Sequence, residues 1–163
     1  FKAQNLEIKI AMLNDDVKKY IEKSVLCWLA TSDKDNFPNV APKEIFTFQG
    51  DSTFLIAHLA SPNSVNNIKE NPKVCVSFID VFVQKGYKLK GTAKIIEKGN
   101  SDFASKLKPL TDLFSDKFPI KAVIEIEVTK VETIAAPSYF LYPETTEESQ
   151  IESAMKTYNV SPN

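Results

Sequence analysis

Apolar residues recur along this chain with two periods. Over much of its length they alternate with polar ones or form short continuous runs, as in strands. In four stretches they return every third or fourth residue, as along one face of a helix. The first helical stretch spans residues 15–23: Asn14 or Asp15 supplies an N-cap, two acids fill the first turn, and Val17, Tyr20, Ile21 and Ser24 share a face. Residues 25–32, VLCWLATS, are almost continuously apolar and predict a strand buried on both faces, with Trp28 in the core. After the turn Asp33-Lys34-Asp35-Asn36, residues 38–48 predict one strand, ended by Gln49-Gly50-Asp51, and residues 53–59 predict the next. So short a polar turn between them predicts an antiparallel hairpin.

Residues 61–72, SPNSVNNIKENP, predict a helix with Ser61 as N-cap, Pro62 at the first helical position and Pro72 as its stop. Strands follow at 74–80 and 87–97, linked by 81–86. Residues 102–114 carry Phe103, Leu107, Leu110, Leu113 and Phe114 at helical spacing, with Pro109 predicting a kink or split. Residues 122–135 predict one long strand, or two meeting at a bend. Their alternation runs through Val123, Glu125 and Glu127 and then resumes out of phase through Val128, Lys130 and Glu132. A helix from about Thr146 to Tyr158 ends the chain. The picture is mainly β with short helices: a six- to seven-stranded, mostly antiparallel barrel, one domain over residues 1–163 with a helical tail from about 144.

Composition narrows what such a domain can bind. The 163 residues carry a formal net charge of -1, and all 20 basic residues are lysine. Any anion is therefore held by lysine charges, hydroxyls and backbone N–H groups, never by a bidentate guanidinium. Nucleic acid is not an expected partner, because phosphate-backbone binding needs a clustered positive excess. The densest lysine run, Lys85, Lys88, Lys90 and Lys94, falls in a strand. Cys27 and Cys75 read as buried reduced thiols, and with one histidine no zinc set can be assembled. No span of about 20 apolar residues and no secretory signal are visible, so no membrane association is expected and a cytoplasmic location is.

Three segments in order resemble a known family. Phe37-Pro38-Asn39-Val40-Ala41-Pro42-Lys43 is similar to the flavin-facing strand of the pyridoxamine 5'-phosphate oxidase-like split barrels, which bind FMN. Residues 61–74 resemble that family's phosphate-binding helix and the strand entry after it, and Gly86-Tyr87-Lys88-Leu89-Lys90-Gly91-Thr92-Ala93 resembles its glycine-bearing strand. The likeness covers roughly residues 15–135 and points to the small FMN-binding proteins of the superfamily rather than the pyridoxamine phosphate oxidases proper.

The resemblance implies an FMN-binding split barrel that holds its cofactor at a homodimer interface. Val40, Ala41, Pro42 and Lys43 would meet the flavin edge through their main chain, with Lys43 reaching the ring or the phosphate. Ala57, His58 and Leu59 would lie near the ring. Ser61, Ser64 and Asn67 would serve the phosphate helix, whose N-terminus suits a dianion. Asn63 stands where the family commonly has lysine or arginine, which removes a full charge from that grip, and Lys90 is a weaker candidate on the barrel wall. No catalytic residue is assigned.

The function implied is a flavoprotein oxidoreductase exchanging electrons with a small-molecule donor or acceptor, the flavin carrying the chemistry. No GxGxxG fingerprint is present for a separate nicotinamide site. The alternatives are a flavin carrier or sensor without turnover, and a split barrel adapted to a deazaflavin, haem or pyridoxal phosphate compound. Pyridoxamine phosphate oxidation itself is not expected of a chain lacking arginine.

Overall fold

Among residues 12–114 and 117–162, which the computed structural model describes, the elements run α1 (Asp15–Lys23), β1 (Cys27–Ser32), β2 (Pro38–Lys43), β3 (Phe46–Gln49), β4 (Thr53–His58), α2 (Pro62–Glu70), β5 (Lys73–Asp80), β6 (Lys85–Glu97), α3 (Phe103–Phe114), β7 (Ala122–Ala135), α4 (Ser138–Leu141) and α5 (Glu147–Tyr158). Residues 1–11, over which no secretory signal is expected, lie outside the described residues.

The strands form one sheet in the order β2-β1-β5-β6-β7-β4-β3, every neighbouring pair antiparallel. β2 and β3 stand at opposite ends of that order, yet only Glu44 and Ile45 separate them in the chain. Three Cα steps reach at most roughly 11 Å, so the two ends of the sheet lie side by side and the sheet rolls into the expected barrel. The same geometry corrects one expectation: residues 38–48 are not a single strand. Lys43 still pairs with Cys27 of β1 while Phe46 already pairs with Ile56 of β4, and the chain must bend at Glu44–Ile45 to serve both ends. β3 and β4 make the expected hairpin, with Gly50 at φ 65° in its turn, a conformation that glycine adopts without strain.

Phe46, Phe54 and Phe78 stack in series inside the barrel, at centroid distances of 5.7 and 6.2 Å. Leu29, Ile56, Leu89, Ile124 and Ile126 surround them. On the other side of the sheet, Leu55, Ala57, Ile96 and Val123 pack with Leu110 of α3 in a second cluster. α1 covers the first core through Val17, Tyr20 and Ile21, its first turn capped by Asn14, whose Oδ1 accepts from the Val17 N–H at 3.0 Å.

β1 departs from the expected burial on both faces. Cys27, Leu29 and Thr31 point inward, but Trp28 points outward and is 47% exposed, so it is not core. Its cross-strand partners are Pro42 and Ser77. The out-of-phase alternation in β7 is a bulge: Val128 pairs with Gly91 and Lys130 with Lys90, leaving Thr129 between them. Gly91 is required there, because a Cβ on it would meet the Glu127 carbonyl oxygen at 2.1 Å.

α3 runs unsplit through Pro109. A proline there cannot donate to the carbonyl of Ser105 four residues back. That carbonyl instead accepts from the Gln49 side chain at 3.4 Å, while Gln49 Oε1 takes the Lys106 ammonium at 2.7 Å. β3 thus meets a need that the proline creates. α5 begins at Thr146, which shares a capping box with Ser149, and Lys85 ties it down through Glu147 at 2.9 Å. No helix among the described residues is long and apolar enough to cross a membrane.

Candidate functional site

Strand alternation turns Lys43, the last residue of β2, inward, where it is only 6% exposed. No carboxylate pairs with it among the described residues. Its Nζ donates to Ser61 Oγ at 2.5 Å, and Ser61 occupies the N-cap position of α2 without making a side-chain cap bond. Pro62 has no N–H, and the first helical bond, Val65 N–H to Ser61 O, is a long 3.4 Å. The N–H groups of Asn63 and Ser64 therefore end the helix without intrahelical acceptors. A half-helical charge and a nearly buried ammonium converge at one place. Burial pulls the Lys43 pKa below the ordinary lysine value, as expected for a cation lacking a counter-ion.

His58 ends β4 beside this cluster. Burial first, then the charges of Lys43, Lys121 and Lys69, push its pKa below the usual imidazole range. Its Nδ1 is buried without a hydrogen-bond partner. The lysine field that disfavours an imidazolium favours an anion. Pro42, Lys43, Ala57, Leu59 and Ser61, all expected from the sequence, line a cavity of about 240 Å³. Ile45 and Phe118 line it too; neither carries a local signal, since both read as ordinary apolar positions.

The other expected residues do different things. Ser64 is fully buried and faces the sheet, where its Oγ accepts from Asn39 Nδ2 at 3.4 Å. Asn67 Nδ2 donates to Thr31 Oγ1 at 3.0 Å, and Asn71 Nδ2 to Ser32 Oγ at 2.8 Å. These side chains fasten α2 to β1 and β2, so the helix N-terminus is held rigidly over Lys43. Sequence reasoning missed Thr31 and Asn39, the sheet side of that joint. Asn63 is exposed on α2. Val40 is exposed and Ala41 half-buried on β2, whose only ladder partner among the described residues is β1. Part of the β2 main chain, along its other edge, thus makes no ladder bond to a described strand.

Lys90 is not brought to this cluster. It sits on the outer face of β6, its Nζ 3.1 Å from Glu132 of β7. Lys130 and Lys88 approach the same carboxylate at 2.8 and 3.6 Å. Hydrogen bonds from Lys130 and Lys90 hold Glu132 well down, at about 2. Lys90 lines a separate cavity of about 450 Å³ with Lys73, Cys75 and Thr92. Between the two regions, Trp28 and Pro42 stand directly opposite each other, as do Ala30 and Val40. Trp28, Val40 and nearby Phe37 leave large apolar surface exposed.

Comparisons with known proteins agree with this fold. The sequence profile of the pyridoxamine 5'-phosphate oxidase family matches residues 13–135. A comparison with curated proteins gives no match. Among solved structures, HupZ of Group A Streptococcus is similar at 26% identity and a TM-score of 0.62, over 74% of this chain and 92% of that one. An FMN-binding protein of Syntrophomonas wolfei aligns at 18% identity and a TM-score of 0.62, over 74% of this chain and 84% of the other. HutZ of Vibrio cholerae, the heme storage protein, aligns at 17% identity and a TM-score of 0.59, over 75% and 94%.

Proposed function

The chain belongs to the pyridoxamine 5'-phosphate oxidase family, and from that footing we propose that it is an FMN-binding flavoprotein that works as an oxidoreductase on a small molecule. The observation that carries the reading is Lys43: a nearly buried ammonium, free of any carboxylate partner among the described residues, bonded to the N-cap serine of α2. That arrangement fits a phosphate group, which would be held by Lys43, Ser61 and the N–H groups of Asn63 and Ser64. The free edge of β2 at Val40 and Ala41 offers main-chain donors and acceptors to the flavin rim, and Pro42 offers only its carbonyl. Bound FMN supplies electron- and hydride-transfer chemistry, which the protein orients and tunes. Positive charge from Lys43, which has no carboxylate partner among the described residues, favours anionic forms of whatever it faces. His58, whose pKa burial first and then the nearby lysines lower, can donate or accept one hydrogen bond through its orphaned Nδ1.

The test is direct. Protein stripped of small molecules, titrated with FMN, is expected to quench flavin fluorescence at one equivalent per chain and to gain thermal stability. A colourless chain that ignores FMN would end the reading. The second reading, flavin binding without turnover, is favoured by one feature: among the described residues no carboxylate pairs with Lys43 and none is hydrogen-bonded to His58. Bound FMN that resists every donor would support it. Haem, which the HutZ description raises, would need His58 as its axial imidazole, since the chain has no other.

We also propose a second copy of this chain over the Trp28–Val40–Pro42 face, which would cover apolar surface otherwise left to water. Trp28→Asp is expected to convert a dimer to a monomer by light scattering. A wild-type chain that is monomeric at all concentrations would remove the proposal.

A further inference from the structure

We propose that the cleft between the C-terminal ends of α1 and α3 is a second ligand compartment, taking an uncharged aromatic compound that bears a hydrogen-bonding oxygen. This names a substrate class for the flavin reading and rests on it.

The cleft measures about 620 Å³, inside the range of small-molecule sites. Strand alternation builds its floor. Phe46 and Phe48 turn to the barrel core, while Ile45 and Thr47 turn toward α3. Ile21, Leu113, Phe114 and Phe118 make the walls. Leu113 and Phe118 remain exposed, as walls awaiting an apolar occupant would. The polar side chain on the floor is Thr47, 5% exposed, whose hydroxyl lines the cleft and meets no hydrogen-bond partner among the described residues. A hydroxyl so placed can share one hydrogen bond with an oxygen on the ligand.

Charge selects against anions. Among the described lining residues, the rim carries Glu22 and Glu44 beside one ammonium, Lys23. The neighbouring cavity has the opposite character, with Lys43 and the α2 N-terminus. Glu44, Ile45 and Phe118 line both, so the neutral compartment adjoins the anion compartment. A ligand in one lies beside a ligand in the other.

The probes are 2-acetylnaphthalene, 2-ethylnaphthalene, which lacks the oxygen, and 2-naphthoate, which is anionic. Each is titrated calorimetrically into the chain alone and into the chain saturated with FMN. The ketone is expected to bind at one per chain in both states. Thr47→Val should weaken it about five- to tenfold while leaving 2-ethylnaphthalene unchanged, and Thr47→Ser should restore the difference. Leu113→Asp, at an exposed wall position, should weaken both neutral probes with little change in melting temperature. Displacement of the ketone by FMN would overturn the proposal, because the cleft would then be the place of the flavin ring. Equal binding of 2-naphthoate, no ketone binding at all, or a Thr47→Val chain that binds the ketone as tightly as the wild type would overturn it too. FMN titration alone decides the flavin reading; ketone binding to the chain without FMN decides the cleft.

Discussion

Lys43 and Lys90 sit on strands of the same barrel and differ in what lies opposite them. Lys43 closes β2 with its side chain inward, bonded to a serine hydroxyl and far enough from every described carboxylate to form no ion pair. Lys90 stands on the outer face, and register brings Glu132 within reach of it, of Lys88 and of Lys130. One lysine keeps its charge available in a low-dielectric place; the other shares a carboxylate in water, where an ion pair contributes little. A count of lysines therefore says little about where an anion binds. The deciding quantity is charge that burial has separated from its counter-ion.

The largest expected effect breaks the comparison at its strong side. Lys43→Met should weaken FMN binding about 100-fold, from loss of a charged hydrogen bond worth about 2–3 kcal/mol. Lys90→Met should change it by less than about threefold. Fluorescence titration of the two variants checks this, and equal losses would mean that the two regions form one site. A smaller effect comes from making the weak side resemble the strong one. Glu132→Gln leaves three lysines without their shared carboxylate, and inorganic pyrophosphate should then bind there about threefold more tightly at low salt. The gain should vanish near 0.5 M salt, because exposed charges are screened.

The smallest effect is a shift in a single resonance. With one histidine in the chain, the imidazole C2–H signal belongs to His58, and its midpoint should lie below about 6.5. Adding FMN should raise it, since a phosphate offsets the lysine field. The folded chain binds fewer protons on His58 than the unfolded chain does just below that range. Its contribution to stability is thus present above about pH 6.5 and lost as pH falls toward the lowered folded value. A midpoint above 6.5 in the free chain would contradict the electropositive environment assigned to Lys43.

Much of the fold is legible because it is local. Asn14 before two acids starts α1 where expected, and Pro62 and Pro72 bracket α2. The phase break after Glu127 marks the bulge at Thr129. Lys43, remote in the chain from Ala57, Leu59 and Ser61, lines one cavity with them. Other features depend on partners remote in the chain. An apolar run such as VLCWLATS does not record whether its second face meets protein or water, so Trp28 read as core. The gap left by Pro109 is filled by Gln49, about 60 residues earlier.

Alternation and capping by themselves determined most of the elements, though not α4 or the break between β2 and β3, and their order, because backbone geometry couples each residue only to its near neighbours. Tertiary structure alone decided where the apparent strand at 38–48 breaks, which lysine loses its counter-ion and which hydroxyl lines the second cleft. Those outcomes follow from barrel closure and strand register, which bring together groups that the chain keeps far apart.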